Sequence, residues 1–162
     1  MEKTWSNTAL VAYSVLPKIV KELDYRLSRL VNSSFKSQHL KNGVSTMQLI
    51  GEIMEVNDEK RKIVNLRFIV DSALNQLSEE SKKVLLDKIV KRLTYQQIAN
   101  DLGYSIRTTF RRFEKAQAEY AHHLAVSGFT ESWFEQEYGN DKYIDQIRIK
   151  LSDDKYFISQ NI

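Results

Sequence analysis

Apolar residues recur at three- and four-residue steps along most of the chain. Residues that break helices are scarce, with one proline and five glycines among 162 residues. This pattern predicts long helices rather than strands, and a mainly α, multi-helix fold. Over residues 4–35, Tyr13, Leu16, Val20, Leu23, Leu27 and Leu30 form a short heptad seam. Pro17 lies inside it and is expected to kink the helix or to mark the start of its second half. A seam of this length either packs inside a helical domain or joins two copies as a homodimer through the N-terminal helices. Residues 33–46 are polar, include Asn42-Gly43, and predict a loop. Residues 46–56 and 61–77 read as two helices, the second with Ile63, Leu66, Ile69 or Val70, Ala73 and Leu77 on one face. Ser78 is the expected cap of the next helix, with Glu79 and Glu80 at its positive end. That helix should bury Val84, Leu85 and Ile89 and run to about Arg92.

The most informative stretch is 93–113. Thr94 suits an N-cap, and Gln97 stands where a capping box needs Glu or Gln. A helix from about Tyr95 to Leu102 follows, with Ile98 and Leu102 on its inner face and the small Ala99 at a close crossing. Gly103 then supplies a left-handed turn without steric cost. Ser105 is placed to cap a second helix by accepting from the amide of Arg107 or Thr108. On that helix Ile106, Phe110, Phe113, Gln117, Tyr120 and Leu124 make the expected inward stripe. Arg107, Thr108, Arg111 and Lys115 fall on the other side, with Arg112 nearer the edge. A short helix, a glycine turn and a basic second helix predict a helix-turn-helix, whose second helix lies in the DNA major groove. Arginine can bond bidentately to guanine, threonine can touch a base edge or a methyl group, and lysine can neutralise phosphate.

Charge sharpens this reading. The whole chain carries a formal +3, yet residues 82–115 hold nine Lys/Arg against three Asp/Glu. Residues 116–162 hold four against eight. The basic patch therefore coincides with the motif and with the helix before it, where Lys91 and Arg92 are expected to hold phosphates. Beyond Gly128 the chain turns acidic and aromatic, with Phe129, Trp133, Phe134, Tyr138, Tyr143, Tyr156 and Phe157 among glutamates and aspartates. Such a tail either folds back on the helical core or serves as an arm for a protein partner. Residues 143–151 suit a helix or a short strand equally.

The runs Leu77-Ser-Glu-Glu-Ser-Lys-Lys-Val-Leu-Leu and Leu93-Thr-Tyr-Gln-Gln-Ile-Ala-Asn-Asp-Leu-Gly-Tyr-Ser, with Thr108 and Arg112-Phe-Glu-Lys-Ala, carry a family likeness. Over residues 77–124 the chain resembles the fourth region of bacterial sigma factors. It is similar too to the regulators built on that module, including phage late-gene activators of the ArpU kind. The resemblance implies a supporting helix before the motif, a reading helix from Ser105 to about Lys115, promoter DNA as ligand and RNA polymerase as partner. The family usually has a buried aliphatic residue where this chain has Thr109, and a polar one where it has Phe110, which predicts a rotated packing of the reading helix. Residues 1–76 do not resemble a promoter-melting segment, so a complete sigma factor is not implied.

Other classes find little support. Cysteine is absent, and the three histidines, His39, His122 and His123, lack chelating spacing, so no metal is expected. No nucleophile elbow, phosphate-binding glycine loop or carboxylate pair of catalytic spacing occurs, so neither an enzyme nor a cofactor is expected. No membrane span and no signal-peptide core are seen, which points to a cytoplasmic protein without a membrane partner. The expectation is a sequence-specific transcriptional regulator that binds double-stranded DNA. It would have an N-terminal helical region at 1–76, a DNA-binding region at 77–124 and a tail at 125–162. The DNA-contacting set is Ser105, Arg107, Thr108, Arg111, Arg112, Lys115, Lys91 and Arg92. A phage packaging adaptor resembling a small terminase subunit, or a protein-binding module, are the alternatives.

Overall fold

The computed structural model describes residues 4–35 and 45–152, and among these there are eight helices and no strand. They are α1 (Trp5–Tyr13), α2 (Leu16–Phe35), α3 (Thr46–Leu74), α4 (Glu79–Ile89), α5 (Tyr95–Leu102), α6 (Ile106–Val126), α7 (Glu131–Tyr138) and α8 (Lys142–Ser152). The chain is mainly α, as the apolar periodicity predicts. Pro17 sits in the first turn of α2, where its missing N–H costs nothing, so it starts a helix rather than kinking one. Most of the loop expected at 33–46 falls outside the described residues, as do His39, Tyr156 and Phe157.

Two compact units are formed, one from Val15–Arg67 and the other from Met1–Ser14 with Phe68–Ile162. In the first, α2 and the N-terminal two thirds of α3 are tied by ion pairs, Arg26 to Glu59 at 3.1 Å and Lys60 to Asp24 at 2.5 Å. As numbers rise on α2 they fall on α3, so the two helices run antiparallel. The two helices expected over 46–77 are one. No Gly or Pro interrupts residues 57–60, and Asp58 pairs with Arg61 at 3.3 Å within the same helix. Ile63, Leu66, Val70 and Ala73 are buried on the expected face.

In the second unit α4, α5 and α6 pack on one another, and α1 packs on α6, α7 and α8. The described part of the acidic, aromatic segment is therefore packed into the core. Phe134, Tyr138, Ile144 and Leu151 are buried, and residues 143–151 are helical. Its carboxylates have a structural use. Glu131 accepts from the backbone N–H of Trp5 at 2.8 Å, at the positive end of α1. Glu135 accepts from the Trp5 indole at 2.9 Å and pairs with Arg148 at 2.7 Å. The Arg148 guanidinium in turn lies 4.3 Å from the centre of the Trp5 ring. These bonds hold the Glu135 carboxyl below its ordinary range, through the Trp5 hydrogen bond first and Arg148 second. The boundary expected near residue 76 thus cuts differently from the fold, because α1 belongs with the C-terminal helices.

Candidate nucleic-acid interface

Local capping builds α5, the turn after it and the start of α6. The Thr94 side chain accepts from the Gln97 N–H at 3.2 Å, and the Gln97 side chain accepts from the Thr94 N–H at 2.9 Å. This reciprocal box starts α5. Gly103 ends it with φ of 72°, a left-handed conformation that glycine adopts without Cβ strain. Ser105 caps α6 by accepting from the Thr108 N–H at 3.1 Å, one of the two bonds its position allows. An aromatic junction fixes the start of α5 against α6, with Tyr95 edge-on to Phe110 and Phe113 at 5.3 and 5.8 Å. Burial, with Glu114 adding repulsion, pushes the Tyr95 phenol up to about 12. Lys88 lies over the same ring at 4.3 Å, and burial lowers its pKa.

The rotation of α6 differs from the expected stripe. Its buried residues are Thr109, Phe113, Ala116, Tyr120 and Leu124. Ile106 and Phe110, expected inside, are 49% and 44% exposed. The rotated packing expected from Thr109 and Phe110 is therefore not adopted. Thr109 is buried, and its hydroxyl donates to the Ser105 carbonyl at 3.0 Å, which offsets the penalty of a polar core residue.

The eight expected contact residues divide by what they already bind. Arg107 and Arg111 are exposed, opposite the buried stripe, and no carboxylate pairs with either among the described residues. Arg92 is likewise exposed and unpaired there, in the left-handed region at φ 57° just past α4. Lys115 is exposed and only loosely paired, 3.7 Å from Glu119. The remaining four are engaged. Arg112 pairs with Glu80 of α4 and stacks 4.2 Å from the centre of the Tyr104 ring. Lys91 pairs with the buried Asp87 at 2.6 Å. Ser105 and Thr108 bond each other, the Ser105 hydroxyl donating to Thr108 Oγ1 at 2.9 Å. Lys83, within the basic stretch, is likewise paired with Asp101. The positive patch is thus partly neutralised, and its open charge is concentrated on Arg92, Arg107 and Arg111.

Sequence reasoning missed the exposed apolar pair Ile106 and Phe110, and Glu114, an exposed carboxylate one turn beyond Phe110. The spacing of Thr109, Phe113, Ala116, Tyr120 and Leu124 is also helical, so the true stripe was available. Ranking by hydrophobicity favoured the bulkier neighbours. Among the described residues no cluster of His, Cys, Asp and Glu could hold a metal ion, and no helix is long and apolar enough to cross a membrane. No protein-family model, curated protein or solved structure matches this chain.

Proposed function

We propose that this protein is a sequence-specific DNA-binding regulator of transcription, with α5, the Gly103 turn and α6 acting as a helix-turn-helix. The observation that carries this reading is the pair Arg107 and Arg111. They lie one turn apart near the start of α6, exposed, unpaired among the described residues and opposite the buried stripe. Recognition helices contact base edges with their N-terminal residues, and arginine is the commonest reader of guanine. In this reading Arg107 and Arg111 read bases, while Arg92 and Lys115 hold phosphates. Arg92 holds its exposed side chain in a left-handed conformation, where glycine would be less strained by about 1 kcal/mol. Arg112 and Lys91 hold the scaffold, and Ser105 and Thr108 set the helix start.

The resemblance to sigma-factor region four carries the second half of the proposal, RNA polymerase as partner at promoters, in the cytoplasm. A homodimer fits the same reading. Of the sequence seam, Leu16 and Leu23 are buried within the chain and Tyr13, Val20, Leu27 and Leu30 are partly exposed. On α3, however, Met47, Ile50 and Met54 recur at helical spacing and are 78%, 46% and 61% exposed. A second copy covering them would give two reading helices for two half-sites.

Genome-wide mapping of bound DNA tests the proposal. Enrichment of one sequence motif at promoters is the expected result. Recovery of DNA no different from that of an equally basic control protein contradicts it.

A further inference from the structure

Ile106 and Phe110 are large apolar side chains that the fold leaves outside. They are one helical turn apart at the start of α6, and 49% and 44% exposed. Arg107 follows Ile106 and Arg111 follows Phe110, each about 100° further round the helix, so the apolar pair borders the face that carries the two guanidinium groups, which are unpaired among the described residues. Exposed apolar groups set singly on a surface need no explanation, but a pair at the edge of a cationic face restricts the choice of ligand. That ligand must carry negative charge and, a few ångströms away, offer apolar contacts. A DNA major groove meets both conditions, because phosphates line it and the thymine C5-methyl projects into it.

We propose that Ile106 and Phe110 read thymine methyl groups next to guanines read by Arg107 and Arg111. The inference rests on the DNA-binding function proposed above and adds the base class of the target. Phe110 is edge-on to Tyr95 at 5.3 Å, which fixes where its ring can meet a base. Glu114 lies one turn further along from Phe110 and is exposed. Its carboxylate accepts from a cytosine amino group and disfavours a phosphate, which sets the far limit of the apolar contact.

The test uses the full chain and chemically altered duplexes. A tight-binding duplex is first selected from a random pool. Each thymine is then replaced in turn by deoxyuridine, which removes only the methyl group. At one or two thymines adjoining a guanine, wild-type affinity should fall about three- to fivefold per methyl, the value of one buried carbon group. In the Ile106→Ala/Phe110→Ala variant the same replacement should have no effect, while its thermal unfolding midpoint reports that it is folded. Selected sites without such thymines, or a deoxyuridine penalty equal in wild type and variant, would overturn the inference and leave DNA reading by the arginines standing. If no sequence is enriched from the pool, both readings fall and the apolar pair is a protein-docking surface.

Discussion

Arg112 of α6 is ion-paired with Glu80 of α4. Its guanidinium also covers the ring of Tyr104 in the turn between α5 and α6, 4.2 Å from the ring centre. One cation thus ties α6 both to α4 and to the turn before it, and its charge is already paired within the protein. Both partners of the pair are about 40% exposed, so the ion pair itself is worth at most about 1 kcal/mol, with a similar amount from stacking. Arg112→Ala should therefore cost roughly 1–2 kcal/mol in unfolding free energy. Its effect on DNA affinity should be small beside that of Arg111→Ala. Denaturant unfolding and duplex titration on the same preparations separate the two. A large loss of affinity without loss of stability would return Arg112 to the reading face.

Gly103 offers a test of the turn. A Cβ built there meets no atom within 4 Å, so the cost of any side chain is the backbone conformation alone, at φ 72°. Asn tolerates this region and β-branched residues do not. Gly103→Asn should be nearly neutral and Gly103→Val should lose about 1–2 kcal/mol. Thermal unfolding of the two variants decides it. Equal midpoints would mean that the left-handed turn is not held in solution.

The helix starts were legible in the sequence because their chemistry is local. Thr94 with Gln97, Ser105 with Thr108 and Ser78 with Ser81 each join residues three apart. The Gly103 turn and the inner residues of α4 were legible for the same reason. What was hidden depends on distant partners or on small energy differences. The Trp5 N–H meets Glu131 across 126 positions, so an acidic segment that resembles an interaction arm supplies an acceptor at the start of the first helix. Arg112 and Glu80 are 32 positions apart, and nothing local distinguishes Arg112 from the open Arg111. The rotation of α6 buries Thr109 rather than Phe110, and the Thr109 hydroxyl is satisfied there by the Ser105 carbonyl. The continuity of α3 was missed because Asn57 and Asp58 are weak helix formers, which a long packed helix tolerates.

Glu135 links this architecture to pH. Its carboxyl is held below the ordinary 4.5 by the Trp5 indole and by Arg148. The folded state therefore binds this proton less readily than the unfolded chain does. The stabilisation is complete above the ordinary carboxylate range and is lost as pH falls through the lowered value. Glu135→Gln should reduce stability near neutral pH and make the acid side of the stability profile shallower. Unfolding midpoints between pH 7 and pH 3 report this directly. Parallel profiles for wild type and variant would show that the charge does not hold α1 to α7.

Tyr120 is fully buried, and its hydroxyl has no hydrogen-bond partner among the described residues. Burial pushes the phenol pKa far up, so the group stays neutral at any ordinary pH. A buried unpaired hydroxyl costs roughly 1–3 kcal/mol. Tyr120→Phe should accordingly be neutral or stabilising, whereas Tyr120→Ala should lose about 3–5 kcal/mol by leaving a cavity. A clear loss in Tyr120→Phe would reveal a partner for the hydroxyl.

The central claim is that Arg111 reads a base. It is most directly tested by the affinity of wild type and Arg111→Ala for a selected duplex and for a shuffled duplex of the same composition, across a series of salt concentrations. Loss of a bidentate base contact predicts roughly 1–3 kcal/mol on the selected duplex and little on the shuffled one. With Arg92 and Lys115 on phosphates, the wild-type slope of log affinity against log salt should be about −2, at about −0.9 per contact. It should be almost unchanged in the variant. An equal loss on both duplexes, with the slope reduced by about one, would make Arg111 a phosphate contact. No loss on either would contradict the assignment of α6 as the reading helix.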